Sequence, residues 1–433
     1  MHDRFIKIRL RGDIRMNEHN EHSRFNGTYT TKWKDSLAKR TTRMESSVIR
    51  ELLKITMVPG MISFAGGLPA PELFPVRDFN DAFDYVMENF SEEALQYGPT
   101  EGLPSLKYYL AESMQKYDVP AEQDNILFTN GSQQALDLIG KVFINEGDKV
   151  ITGCPTYLGA IQAWNAYGPE YLTVPLDEHG MRMDCLEKVL KENPDAKFIY
   201  VLPNFHNPAG TTLTIDRRYK LVQLAAEYGV FIVEDDPYGE LRYEAEDLTP
   251  IIALHKENVI YLSTFSKTLA PGLRLGWIVA PSDVTAKLIQ AKQGADLHTG
   301  TLVQYLASDI CERGLIKSHV RKIKAVYRKR RDLMLKMIEE HFPKEITYTR
   351  PIGGLFLWLQ LPEHVNTKDL LDKAVEKKVA FVPGFAFYPN GGGDNCLRLN
   401  FSNAQEDKIV EGMKRLAAVL KEACSSNEKT ASA

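Results

Sequence analysis

Four short segments carry residue types that could do chemistry. In Ser263-Thr264-Phe265-Ser266-Lys267-Thr268-Leu269-Ala270-Pro271-Gly272-Leu273-Arg274, small hydroxyls flank a lysine and an arginine follows seven positions later. Hydroxyls and a guanidinium together suit a phosphate. The lysine could form a Schiff base with a carbonyl compound, or it could be one solvated surface lysine among many. In Val233-Glu234-Asp235-Asp236-Pro237-Tyr238 an apolar run enters carboxylates. Such groups bind a metal, hold a cationic ring, or line a solvated turn. In Pro203-Asn204-Phe205-His206-Asn207-Pro208-Ala209-Gly210, Asn207 precedes a proline and is held extended or in a turn. Its amide either points into a cleft or closes an Asx-turn. In Thr129-Asn130-Gly131-Ser132-Gln133-Gln134-Ala135-Leu136 a turn-forming Asn-Gly leads into a helical pattern, with Ser132 as the expected N-cap. Backbone N–H groups at a helix start make an anion site, and plain capping fits the same residues.

Positioning such groups needs a rigid frame. Short, nearly all-apolar runs are expected as strands: 149–152, 197–202, 230–234, 259–262 and 275–280. Their lack of alternation predicts burial on both faces of a mostly parallel sheet. Amphipathic runs separate them; Asp216–Glu227 places Leu221, Leu224 and Ala225 on one face. The repeated strand–helix order argues for an α/β layered domain, whose ligands bind at the carboxyl ends of strands. A long charged helix, about Leu315–Glu340, follows, and its charges read as a solvated face. Beyond it, 355–361, 380–382 and 396–401 are expected as strands of a smaller α+β unit, with the domain change inside the long helix.

The ends and the composition narrow the function classes. Residues 1–40 are polar and charged without periodicity, as in a mobile extension, and 425–433 read as a frayed tail. His19, Glu21 and His22 could be imagined as metal ligands, but no third ligand of suitable spacing follows. The chain has 433 residues and a net charge of −4, without the basic footprint of a nucleic-acid binder. Its five cysteines are scattered, as in a reduced cytoplasmic protein. No apolar run has the length of a membrane span or of a secretory signal.

The four segments, taken in their order, resemble the fold-type-I pyridoxal-phosphate (PLP) aminotransferases over about Ser47–Leu420. The motifs are Asn207-Pro208-Ala209-Gly210, Asp235 with Tyr238, and Ser266-Lys267 with Arg274. Phe64-Ala65-Gly66-Gly67-Leu68-Pro69, Leu95-Gln96-Tyr97-Gly98-Pro99 and Gly131-Ser132-Gln133-Gln134-Ala135-Leu136-Asp137 are similar to the aminoadipate/kynurenine branch. The resemblance implies a large PLP-binding domain with a mostly parallel sheet (76–325), a smaller α+β domain (326–424), and an N-terminal arm and helix (41–75) packing on the site. It also implies a role for each matched residue. Lys267 carries the cofactor as a Schiff base and Asp235 faces the ring nitrogen. Asn207 and Tyr238 bond the phenolic oxygen, and Tyr157 stacks on the ring. Ser132, Gln133, Thr264, Ser266 and Arg274 form the phosphate cup, which Tyr97 reaches from the other subunit of a homodimer. Arg398 grips the substrate α-carboxylate. Thr264 stands where many relatives have serine and keeps the hydroxyl. His206 stands where glutamine is frequent and could alter packing beside the ring.

The resemblance further implies transfer of an amino group from 2-aminoadipate, aromatic or aliphatic donors to a 2-oxo acid, expected to be 2-oxoglutarate, by a ping-pong cycle. Gly67 would leave room above the ring for a long side chain. Arg50, on a helix over about Ser47–Ile55, either meets a distal carboxylate or lies on the surface. A PLP lyase or synthase shares the lysine and aspartate and stays open. An aminotransferase-like regulator fused to a winged helix would need more than the roughly 45 residues before the body, given usual domain sizes.

Overall fold

A computed structural model describes residues 33–44, 59–119 and 121–430. The expected helix carrying Arg50 and the His19–His22 cluster lie outside the described residues. Among the described residues, fourteen strands form three sheets. In chain order they are β1 (Ile62–Ser63), β2 (Ile126–Thr129), β3 (Lys149–Cys154), β4 (Glu170–Asp177), β5 (Gly180–Met181), β6 (Phe198–Val201) and β7 (Phe231–Asp235). Then come β8 (Val259–Thr264), β9 (Gly276–Val279), β10 (Thr347–Tyr348), β11 (Phe356–Gln360), β12 (Val379–Ala380), β13 (Val382–Pro383) and β14 (Cys396–Asn400).

The large sheet has the order β2-β9-β8-β7-β6-β3-β4-β5. Strands β8, β7, β6, β3 and β4 run parallel, while β9, between β2 and β8, and β5, beside β4, pair antiparallel. The chain is therefore α/β with a mainly parallel sheet, as the uninterrupted apolar runs predicted. The alternation hidden inside those runs sorts two cores. Val150, Phe198, Tyr200, Val233, Ile260 and Leu262 belong to one, with Leu136 and Trp164 from the helices Ser132–Phe143 and Leu158–Asn165. Ile151, Ile199, Val201, Ile232 and Val259 belong to the other, with Leu186, Leu221 and Leu224 from the helices Met183–Glu192 and Ile215–Tyr228. With both faces covered, the sheet can open to a ligand only at its ends.

The expected long helix is Leu315–His341, and its charges are not all solvated. Arg330 and Arg331 are buried. Arg330 bonds Glu406, Glu72 and the Ser402 carbonyl, and Arg331 reaches the Pro351 carbonyl and Glu244. After it, β10-β11-β14-β13 form an antiparallel sheet. The segment expected as one strand over 380–382 is split. Val379 and Ala380 pair in parallel with Ile62 and Ser63, and Val382 pairs with Arg398. Residues 425–430, expected as a frayed tail, continue the helix Glu406–Thr430. No Gly or Pro interrupts that stretch, and Cys424 is still buried at its start. Among the described residues no helix is long and apolar enough to cross a membrane.

Candidate active site

The floor of the site is built where β6, β7 and β8 end. Asp235 is the last residue of β7 and lies two positions from Val233, so it faces the same side as Tyr200. The Tyr200 hydroxyl donates to Asp235 Oδ2 at 2.8 Å, while Oδ1 is buried without a partner. Burial pushes this carboxyl up to about 7; the Tyr200 hydrogen bond pulls it down and neighbouring Asp236 pushes it up. Tyr238 is buried, meets Phe356 edge-on at 5.9 Å, and is held far above its usual range, chiefly by burial. Tyr157 precedes the helix Leu158–Asn165 and lies over Gly159, where an added Cβ would come within 2.5 Å of its ring. Burial raises its phenol to about 12, with Asp235 raising it further and Arg398 and Arg274 opposing.

Lys267 leaves the turn after β8, and its Nζ donates to the Gly67 carbonyl at 2.8 Å. Burial lowers its amine to about 8, and the positive charges of Arg398 and Arg274 act in the same direction. Near neutral pH a workable share of such an amine is unprotonated, as a Schiff-base former or proton carrier requires.

Arg398, on β14, is fully buried. Its Nη1 donates to Asn207 Oδ1 at 2.7 Å and its Nη2 to the Ala65 carbonyl at 2.6 Å. Its guanidinium carbon lies 4.3 Å from the Phe356 ring centre and 5.1 Å from that of Phe387. Nε has no partner. Burial lowers its pKa to about 10, so the group stays charged at neutral pH. Asn207 therefore uses its amide oxygen to reach the arginine strand, 191 positions away in sequence. His206 is buried and kept neutral by burial, at about 3. It borders a small cavity of about 20 Å³ with Gly153, Tyr200 and Leu213.

The residues expected to hold a phosphate come together where the helix Ser132–Phe143 starts beside the loop after β8. Gly131, with φ of +73°, takes the cap position, so Ser132 is the first helical residue and not the expected N-cap. Its hydroxyl donates instead to the Ser263 carbonyl at 3.3 Å. The backbone at 131, with φ of +73° and ψ of 167°, favours glycine, and a Cβ there would also displace the end of the Arg274 side chain. Arg274 itself has φ of +51° and donates to the carbonyls of Pro271 and Asn130. Thr264 Oγ1 joins Ser266 Oγ at 2.9 Å, and Gln133 donates to the Gly159 carbonyl. Tyr97 stays out of this cluster: it is 78% exposed and packs edge-on against His298. Among the described residues no group of three or more His, Cys, Asp or Glu could hold a metal.

The sequence model of the aminotransferases of class I and II matches residues 76–416. The chain belongs to that family. An aromatic-amino-acid aminotransferase of Thermococcus litoralis is 48% identical, over 91% of this chain and 96% of that protein. The kynurenine aminotransferase structure of Pyrococcus horikoshii, solved in complex with PMP, is 45% identical with a TM-score of 0.87, covering 90% of this chain and 98% of the other. The α-aminoadipate aminotransferase of Thermus thermophilus, complexed with N-(5'-phosphopyridoxyl)-L-leucine, is 42% identical with a TM-score of 0.85, over 90% and 98%. This aminotransferase is thus a fold-type-I, PLP-dependent transaminase of the aminoadipate/kynurenine branch, as the motifs implied.

Several groups in the aminotransferase's site were not anticipated. Tyr200, Phe356, Phe387 and the carbonyls of Ala65 and Gly67 all touch expected site residues. Tyr200 had a readable signal, since it is the polar-tipped residue of an otherwise aliphatic and phenylalanine strand. Backbone carbonyls carry none.

Proposed function

We propose that this aminotransferase binds PLP through Lys267 and moves the amino group of an amino acid to a 2-oxo acid, 2-oxoglutarate, in a ping-pong cycle. The observation that carries the reading is Asp235 Oδ1, a buried acceptor with no partner at the end of β7, together with a lysine of lowered basicity in the turn after the neighbouring strand β8. A protonated ring nitrogen satisfies that acceptor. Ser132, Gln133, Thr264, Ser266 and Arg274 hold the phosphate, Tyr157 covers the ring, and Asn207 with Tyr238 bonds its phenolic oxygen. Bound there, PLP supplies an electron sink that lets the substrate Cα–H bond break.

The chain's own groups do the rest. Arg398 binds the α-carboxylate, exchanging bonds it now makes to Asn207 and Ala65, and so fixes the amino acid's orientation. Lys267 Nζ would take the proton from the substrate Cα. The exposed Tyr97 suits delivery to the phosphate of a second copy, so the working unit is a homodimer with shared sites. Residues 76–325 form the PLP-binding domain and 326–424 the small domain, in a cytoplasmic enzyme.

For donors we propose 2-aminoadipate, aromatic and aliphatic amino acids. Gly67 carries no side chain beside Lys267, which suits a long donor side chain, although a Cβ there would make only ordinary contact with Phe356 at 3.4 Å. Arg50 is the candidate partner of a distal carboxylate. The test supplies purified protein, PLP and 2-oxoglutarate with each donor in turn and measures glutamate. Formation of glutamate together with the donor's 2-oxo acid is expected; none with any donor class overturns the reading.

A further inference from the structure

Asp235 can meet a ring nitrogen only if one oxygen stays free and the carboxylate stays charged, and its surroundings oppose both. Burial alone favours the neutral acid, and a freely rotating carboxyl would present either oxygen. Tyr200 bears on both points. Its hydroxyl occupies Oδ2 at 2.8 Å, and a phenol donating there favours the ionised form. The phenol is itself fully buried and cannot swing away. Its ring packs edge-on against Trp164, with centroids 5.0 Å apart at 86°. Trp164 in turn donates from Nε1 to the Leu136 carbonyl at 2.8 Å, inside the helix that starts at Ser132. The other titratable groups around Tyr200 and Asp235 are Tyr157, Tyr238 and Asp236. None of them bonds Asp235; Asp236 is held by Asn204.

We propose that Tyr200 is a positioning residue that reserves Asp235 Oδ1, as an ionised acceptor, for the ring nitrogen of PLP. The assignment rests on the proposed function above and goes one shell beyond it. Tyr200 touches neither substrate nor cofactor; it acts through Asp235. Trp164 transmits the position of the Ser132–Phe143 helix to the same carboxylate, so the nitrogen and phosphate ends of the site share one support.

The experiment compares wild type, Tyr200→Phe and Asp235→Ala, with Tyr171→Phe as control. Tyr171 hydrogen-bonds Asn165 and the Ile161 carbonyl, away from the site. Affinity is measured by equilibrium dialysis for PLP and for the analogue whose ring nitrogen is replaced by C–H. Wild type should prefer PLP. Tyr200→Phe keeps the ring on Trp164, so the apoprotein should stay folded, with a modest fall in melting temperature from the second bare oxygen of Asp235. It should bind PLP about 10- to 100-fold more weakly, the range for loss of a hydrogen bond to a charged group. Its affinity for the carbon analogue should not change, so its preference for PLP should fall toward that of Asp235→Ala. Equal preference for PLP in wild type and Tyr200→Phe would overturn the assignment, as would equal weakening for both ligands, which marks a structural role only. Failure of wild type to bind PLP at all is a different result and rejects the proposed function instead.

Discussion

Three consecutive carboxylates at the end of β7 meet two different environments, one on each side of the sheet. Glu234 and Asp236 turn to one side, and all four of their oxygens are bonded. Glu234 accepts from the N–H groups of Ile251 and Ile252, and Asp236 from Asn204 and Tyr261. Arg218, fully buried, steadies Asn204 and the carbonyls of Leu213 and Thr249 behind them. Asp235 turns to the other side with one oxygen bonded and one bare. All three are buried to a similar degree, so burial does not distinguish them. The difference lies in satisfaction. A complete set of partners marks carboxylates that hold the frame together, and a missing partner marks the one kept for a ligand.

This contrast can be broken in order of effect. The largest is expected at Asp235. Replacing it with alanine should lower kcat for transamination by roughly 10³-fold, on the scale of losing a positioned proton partner. Apoprotein unfolding by urea should show a smaller loss of stability than Asp236→Ala, because one bare carboxyl oxygen disappears and only the Tyr200 hydroxyl is orphaned. Asp236→Ala should do the reverse. It orphans Asn204 and Tyr261 beside a buried guanidinium and should lower unfolding free energy by about 2–4 kcal/mol. An Asp235→Ala apoprotein less stable than Asp236→Ala would invert the comparison.

The third effect is on pH dependence. Burial raises Glu234 and Asp235 to about 7, from the 4.5 and 3.8 of unpaired carboxyls. The folded apoprotein therefore holds more protons than the unfolded chain between those values. The stability these groups contribute is full below about pH 4 and is lost as pH rises through about 7. Each accounts for up to about 1.4 kcal/mol per pH unit within that window. Urea midpoints of the Asp235→Asn apoprotein at pH 5, 6 and 7 should fall less steeply than those of wild type. Parallel curves would place the carboxyl's titration elsewhere.

Much of this was legible in the sequence, and the gaps have physical causes. Apolar runs without alternation announced a sheet buried on both faces, and β3, β6, β7, β8 and β9 form within a few residues of their expected limits. The chemistry-bearing side chains were readable only through their order along the chain: alone, Lys267 and Asp235 also fitted a solvated surface or turn, and Arg398 entered through the family resemblance. The split between Val379–Ala380 and Val382–Pro383 was not readable, because an apolar run does not say which sheet each residue joins. Nor was the loss of Ser132 as a cap, which follows from the positive φ at Gly131. The buried Arg330 and Arg331 looked like solvated charges because their partners come from Glu72, Glu244 and Glu406, remote in sequence.

The stretch 62–68 is bonded through its main chain along its length, while the side chains of Ile62, Phe64 and Ala65 are buried in the core. The N–H groups of Ile62 and Phe64 bond the carbonyls of Lys378 and Ala380. The carbonyls of Phe64, Ala65, Gly67 and Leu68 accept from Asn400, Arg398, Lys267 and Ser402. Ile62, Phe64 and Ala65 are therefore fixed as core, whereas Gly67 and the exposed Leu68 are held through their carbonyls. An engineer can vary those two positions and reshape what lies beside Lys267 while the anchors of the stretch persist.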